Sequence, residues 1–261
     1  MNAALLIRGA RQLVTMRAAP DGRTPDLGLV ADGTLLICDG RIEQVGPSRR
    51  ILNLTEARRA QEIEATGCLV MPGFVDAEAD VFGESPTRVS LRRAVERLIE
   101  HGTTTISCLL PGTRACKLVE RHPPPLTIHF RGRAIPGLEY PLRRYLDRSL
   151  EPEEGSRPWR VVASGFHPQR SPACNLQTAA SLAVVNGKMT IEAALRAITS
   201  EAAAAIGLAA EIGSLEPGKY ADLVVLDVSD YREIPGHFGV NLVRAVIRRG
   251  QMIYERGEFA W

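Results

Sequence analysis

Residues 70–80 read VMPGFVDAEAD, an apolar run, the pair Pro72-Gly73, and a second apolar run that delivers the chain to Asp76, Glu78 and Asp80. If the segment continues as a strand, alternation puts all three acids on one face. The strand decides the fold because it opens a region of alternating strand and helix patterns. The acids at its end pose the functional question. They are a metal site, a catalytic carboxylate cluster, or what is left of a site whose metal ligands have gone.

Downstream, residues 90–102 (SLRRAVERLIEHG) place Leu91, Val95, Leu98 and Ile99 near helical spacing and end on Gly102. TTTISCLL (103–110) reads as a β-branched strand, followed by a short helix ending near Glu120. PPLTIHFRGRAIP (124–136) is a further strand, YPLRRYLDRSL (140–150) a helix, EPEEGSRP (151–158) a linker and WRVVASGF (159–166) a strand. NLQTAASLAVV and TIEAALRAITSEAAAAIG read as helices, the second capped by Thr190, and its Ala-rich end (199–210) as tightly packed. Such alternation predicts a parallel sheet of βα units, with strands at 70–77, 103–110, 125–131 and 160–165. A βα unit takes roughly 30 residues, so 70–212 has room for about four or five. A closed (β/α)8 barrel needs roughly 250 residues.

The two ends of the chain differ from the middle. Residues 3–16, 34–39 and 41–46 are short β-type runs, with Asp39-Gly40 a two-residue hairpin signal. ADLVVLDV (221–228) and VRAVIRRGQMIYERG (243–257) repeat the style, with Arg249-Gly250 as a turn and Glu216-Pro217-Gly218 before them. Neither end alone has enough strands for a stable sheet. Together they predict a composite β-sandwich domain of 1–69 and 213–261, set on a shortened (β/α) barrel domain of 70–212.

The 261 residues carry 32 basic and 30 acidic side chains, a net charge of +2 with no basic stripe. That balance argues against nucleic acid and anionic membranes as partners. The five cysteines have no CxxC spacing and read as reduced, mostly buried thiols. Arg8 and Arg11 interrupt the N-terminal apolar stretch, and no apolar run approaches the ~18 residues of a span. A soluble, cytoplasmic protein is the expectation.

IRGARQLVTM, DGTLLICDGRIEQVGP, VMPGFVDA, IGSLEPGKYADLVVLD and VIRRGQMIYERG, in that order, resemble the metal-dependent amidohydrolase superfamily. HGTTTIS (101–107), AIPGLEY (134–140), FHPQRSP (166–172) and DYREIPGHFGVNLV (230–243) are most similar to the imidazolonepropionase family, hydrolases of a cyclic amide. The resemblance implies a (β/α)8 barrel with a β-sandwich from both termini. It also implies Zn²⁺ or Fe held by His-x-His on the first barrel strand, a His on a middle strand and an Asp on strand 8. Such a metal lowers the pKa of bound water and polarises the amide, and the strand-8 Asp serves as base.

Set against that pattern, the functional positions depart. Glu78 and Asp80 stand where the family has its two histidines, and Gly165 where it has the strand-8 aspartate. Arg133 stands for a substrate-contacting histidine, and the stretch that would carry the middle-strand histidine is absent. The expectation is therefore a catalytically degenerate relative with no catalytic residues and no metal. Glu78, Asp80, Arg133 and Gly165 are its vestigial positions, and Glu78, Asp80, Arg133 and His167 the candidates for a ligand pocket. A divalent cation at Glu78 and Asp80 would be the one cofactor, with Arg133 the alternative partner of the two acids. A half barrel of four strands would expose an edge and an open apolar interior, so a covering partner is expected, a second copy or a different protein. A scaffold, assembly or regulatory subunit follows. The alternatives are a hydrolase of cyclic amide C–N bonds with a rebuilt site, and a non-catalytic small-molecule binder.

Overall fold

A computed structural model describes residues 4–17, 27–135, 138–141 and 160–261. The expected helix at 140–150 and linker at 151–158 lie largely outside the described residues.

Both ends of the chain meet in one nine-stranded sheet. From the N-terminal side come β1 (Ala4–Val14), β2 (Leu29–Cys38), β3 (Arg41–Pro47), β4 (Gln61–Glu64) and β5 (Leu69–Pro72). From the C-terminal side come β11 (Leu223–Leu226), β12 (Val243–Arg248), β13 (Gln251–Glu255) and β14 (Glu258–Phe259). The order is β14-β13-β12-β11-β5-β1-β2-β3, with β4 beside β1. The seam is β5, antiparallel to β11 with Val70 opposite Val225, and parallel to β1. The sheet is thus hydrogen-bonded continuously rather than split in two, and it folds over on itself. Leu5, Ile7, Leu35 and Ile37 share a buried cluster with Leu223, Val225 and Ile247. The hairpin tips at Asp39-Gly40 and Arg249-Gly250 take positive φ at both residues, as tight two-residue turns require. They also touch: a Cβ on Gly40 would lie 2.7 Å from the Arg249 carbonyl oxygen.

The run expected as one strand over 70–77 is two strands in different sheets. β5 ends at Pro72, and β6 (Phe74–Asp76) begins the parallel sheet β6-β7-β8 with β7 (Thr103–Leu109) and β8 (Thr127–Arg131). Gly73 is the crossing point because a Cβ there would meet the Thr104 side chain at 2.4 Å. A second parallel pair, β9 (Leu138–Glu139) and β10 (Val161–Val162), joins the first through the bridge between Ala79 and Phe166. That gives five short parallel strands among the described residues, one more than the sequence reading counts.

Helices α2 (Arg88–Glu100), α3 (Thr113–Arg121) and α4 (Leu176–Val185) follow the expected pattern, after a single turn α1 (Ser48–Ile51). α2 starts on a capping box of Thr87 and Ser90 and buries Leu91, Val95, Leu98 and Ile99. The segment expected as one helix from Thr190 breaks into α5 (Ile191–Ala197), capped by Thr190, and α6 (Ser200–Ala205). The break has a structural use, since the Ile198 carbonyl it releases accepts from the Val75 N–H of β6 at 2.9 Å. Among the described residues no helix is long and apolar enough to cross a membrane.

Candidate functional site

The carboxyl ends of the parallel strands bring the three acids of the opening stretch to three different environments. Asp76, the last residue of β6, is fully buried. Its carboxylate accepts from the Ser164 hydroxyl, from Ser164 N–H at 3.1 Å and from Glu78 N–H at 3.3 Å. Burial nevertheless dominates and pushes its pKa up to about 7, with the hydrogen bonds opposing.

Glu78 lines the strand-end cavity and pairs with Arg131, the last residue of β8. That guanidinium is nearly enclosed, at 8% side-chain exposure against 31% for Glu78. It also donates to Ser107 Oγ at 3.1 Å and to the Arg133 carbonyl at 2.6 Å. The Tyr140 hydroxyl bonds Glu78 too, and burial followed by the carboxylate's charge raises that phenol's pKa. These groups form a connected polar network at the carboxyl ends of the strands.

Asp80 turns back on the chain, accepting at Oδ1 from the N–H groups of Phe82 (2.7 Å) and Gly83 (3.2 Å). Its Oδ2 stands 3.7 Å from Nε2 of His167. His167 Nδ1 accepts from the N–H groups of Gln169 (3.3 Å) and Arg170 (3.2 Å), which places the ring proton on Nε2, aimed at Asp80. Cys108 lies beside these groups, and burial, then the charge of Asp80, pushes its thiol up to about 12, so it is no nucleophile.

Glu78, Asp80, Gly165 and His167 line one cavity of about 840 Å³, with Tyr140 and Cys108. Arg133 does not line it, and its side chain is exposed. The arginine that reaches Glu78 is Arg131, because β8 ends there and residues beyond it have left the sheet. Strand periodicity puts 131 and 133 on one face, so the signal was present but two residues off. Tyr140 and Ser164 carried no comparable signal, since their places depend on β9 and β10 lying against β6. Gly165 has φ +64°, and a Cβ on it would lie 2.9 Å from the Tyr140 ring.

These residues do not fit a catalytic Zn²⁺ or Fe. The Arg131 guanidinium stands as a cation on Glu78, the Tyr140 ring closes the space over Gly165, and one oxygen of Asp80 is committed to backbone N–H groups. Among the described residues no group of three or more His, Cys, Asp or Glu is arranged to hold a metal ion.

Comparison with known proteins agrees with this architecture. Residues 164–253 match the amidohydrolase family. Solved structures similar in fold include guanine deaminase of E. coli (TM-score 0.66, 14% identity, covering 98% of this chain and 100% of that one). N-isopropylammelide isopropylaminohydrolase of Burkholderia multivorans is similar as well (TM-score 0.67, 14% identity, 99% and 100% covered). The fold is mixed α/β with a site at parallel strand ends, and residues 164–253 define the class by carrying the match to an amidohydrolase family domain. Within that class it is a homologue of the imidazolonepropionases. It is 29% identical to that of Geobacillus thermodenitrificans over 229 residues, 85% of this chain and 46% of the relative. Over 126 residues it is 37% identical to that of Alkaliphilus oremlandii, 48% of this chain and 29% of the relative. The chain spans less than half the length of these curated relatives.

Proposed function

We propose that this amidohydrolase-like chain is catalytically degenerate toward metal-assisted hydrolysis and keeps its strand-end cavity as a ligand pocket within a scaffold or regulatory subunit. The observation that carries the reading is the Arg131–Glu78 ion pair, which stands a fixed guanidinium where a metal ion would have to approach. Two like charges cannot share that carboxylate without a large desolvation and repulsion cost. The folded-over composite sheet supports a domain division of 1–69 with 213–261 against 70–212, although β5 crosses that line. A second copy or a different protein covering the barrel edge belongs to the same reading, supported by Leu109 and Leu110, which are 48% and 66% exposed beside β8. A cytoplasmic location is supported by the five unpaired cysteines.

The second reading is a hydrolase of cyclic amide C–N bonds with a rebuilt site. Likeness to the imidazolonepropionases favours it, as does the approach of His167 to Asp80. Elemental analysis of purified protein, combined with an assay of imidazolone ring opening, separates the two. We expect no stoichiometric transition metal and no turnover above background. A tightly held metal in one-to-one ratio with the chain, or turnover abolished by a chelator, establishes the hydrolase and removes our proposal.

A further inference from the structure

Among the described residues, two formal charges of the cavity wall have no arginine, lysine, aspartate or glutamate opposite them. Of its carboxylates, Glu78 is neutralised by Arg131, and Glu84 by Arg170 at 3.1 Å. Among the described residues Asp80 has no arginine or lysine within ion-pairing distance, and its side chain, which lines the cavity, is 43% exposed. Its Oδ1 is fixed by two backbone N–H groups, so the carboxylate is held in one orientation before any ligand arrives. The neighbouring His167 commits Nδ1 to backbone N–H groups and holds Nε2 3.7 Å from Asp80 Oδ2, beyond hydrogen-bond range. Oδ2 of Asp80 therefore keeps its acceptor capacity.

The opposite sign stands on another element. Arg114, in the first turn of α3, also lines the cavity and has no hydrogen bond or ion pair among the described residues. Phe82, Phe166, Leu109 and Pro111 supply apolar parts of the same wall. A neutral apolar ligand would leave both charges facing it without partners, and a monovalent ion would satisfy only one.

We infer that the cavity takes a small zwitterion, with an ammonium- or guanidinium-type cation at Asp80 and a carboxylate at Arg114. This rests on the pocket reading above and sharpens it to a ligand class. Carboxylate on guanidinium permits two parallel hydrogen bonds at the Arg114 end, which adds orientation to charge. A ligand meeting both charges binds more tightly than either half because the second contact is intramolecular once the first is made.

The test is calorimetric titration with 4-guanidinobutyrate and with its two halves, propylguanidinium and butyrate, each taken to millimolar concentration. We expect saturable one-to-one binding of the zwitterion, roughly tenfold or more tighter than either half. Asp80→Asn should weaken the zwitterion and propylguanidinium but not butyrate. Arg114→Gln should weaken the zwitterion and butyrate but not propylguanidinium. Arg8→Gln, whose guanidinium is paired with Glu62 in the composite sheet and does not line the cavity, should change none of them. Thermal melts of each variant without probe establish that it is folded. No binding of the zwitterion, equal binding of a half, or binding indifferent to Asp80→Asn and Arg114→Gln overturns the inference. Metal analysis of the same samples keeps the two questions apart: metal-free protein that ignores the zwitterion removes the ligand class alone, whereas stoichiometric metal removes the pocket reading itself.

Discussion

At the scale of single residues, the site is a lesson in how three acids two positions apart come to different fates. The strand ends at Asp76, so alternation does not govern the other two, and what each meets decides its chemistry. Asp76 meets Ser164 in full burial, Glu78 meets a guanidinium, and Asp80 meets backbone N–H groups and open cavity. Asp76 carries a measurable consequence. Its folded pKa is raised to about 7, above the ~3.9 of an unfolded aspartate. Below about pH 4 both states are protonated and the group contributes nothing. Between the two values the unfolded chain ionises while the folded one holds its proton, so stability falls as pH rises, then levels off above about 7. At about 1.36 kcal/mol per pKa unit, the loss reaches up to ~4 kcal/mol. Asp76→Asn cannot titrate. Denaturant melts of wild type and variant across that window should show the wild type losing ground steadily to the variant. Parallel pH profiles would mean that Asp76 is ionised in the folded state throughout.

Among the elements, the hairpins are the parts that local sequence specifies best, and their tips lock the sheet's two halves together. Tyr220 lies between Arg41 and Arg249, whose guanidinium carbons stand 4.2 and 4.3 Å from its ring centroid. Arg41 also donates to the Gly218 carbonyl, and Ala221 N–H donates to Gly40 O at 2.9 Å. The ring thus serves both hairpins at once. Tyr220→Leu keeps apolar bulk and removes the π-face, and it should cost about 1–2 kcal/mol, from two contacts of roughly 0.5–1 each. Urea melts would check this, and the loss should shrink when Arg41→Met is already present, because one of the two contacts is then gone. A loss independent of Arg41 would assign Tyr220 to packing alone.

For the molecule as a whole, the composite sheet joins the two ends of the chain, while the described parallel strands β6 to β10 make a short arc. β8 bounds the described arc on one side, and the exposed Leu109 and Leu110 stand beside it. An edge of this kind invites pairing with another chain. Light scattering should therefore return a mass greater than one chain, or one chain together with a co-purifying partner. A monodisperse monomer would leave that edge to be protected by the chain itself.

Much of this was legible in the sequence, and the reason is locality. Asp39-Gly40, Arg249-Gly250, Thr190 and Gly102 act through φ preference and capping within a few residues, and each stands where its chemistry predicted. His101 likewise ends α2, with Nδ1 2.8 Å from the Arg97 carbonyl. The stretch VMPGFVDAEAD by itself determined that a buried strand would present acids at its carboxyl end. Only the tertiary structure decided that this run is two strands in two sheets, because Gly73 is set by its contact with Thr104 and not by its neighbours in sequence. Only the tertiary structure chose Arg131 over Arg133, brought Tyr140 over Gly165, and broke the helix at Thr199 so that Ile198 could serve Val75. Each of those depends on groups that meet across the fold, where strand register and burial, rather than spacing along the chain, determine which atoms come within reach.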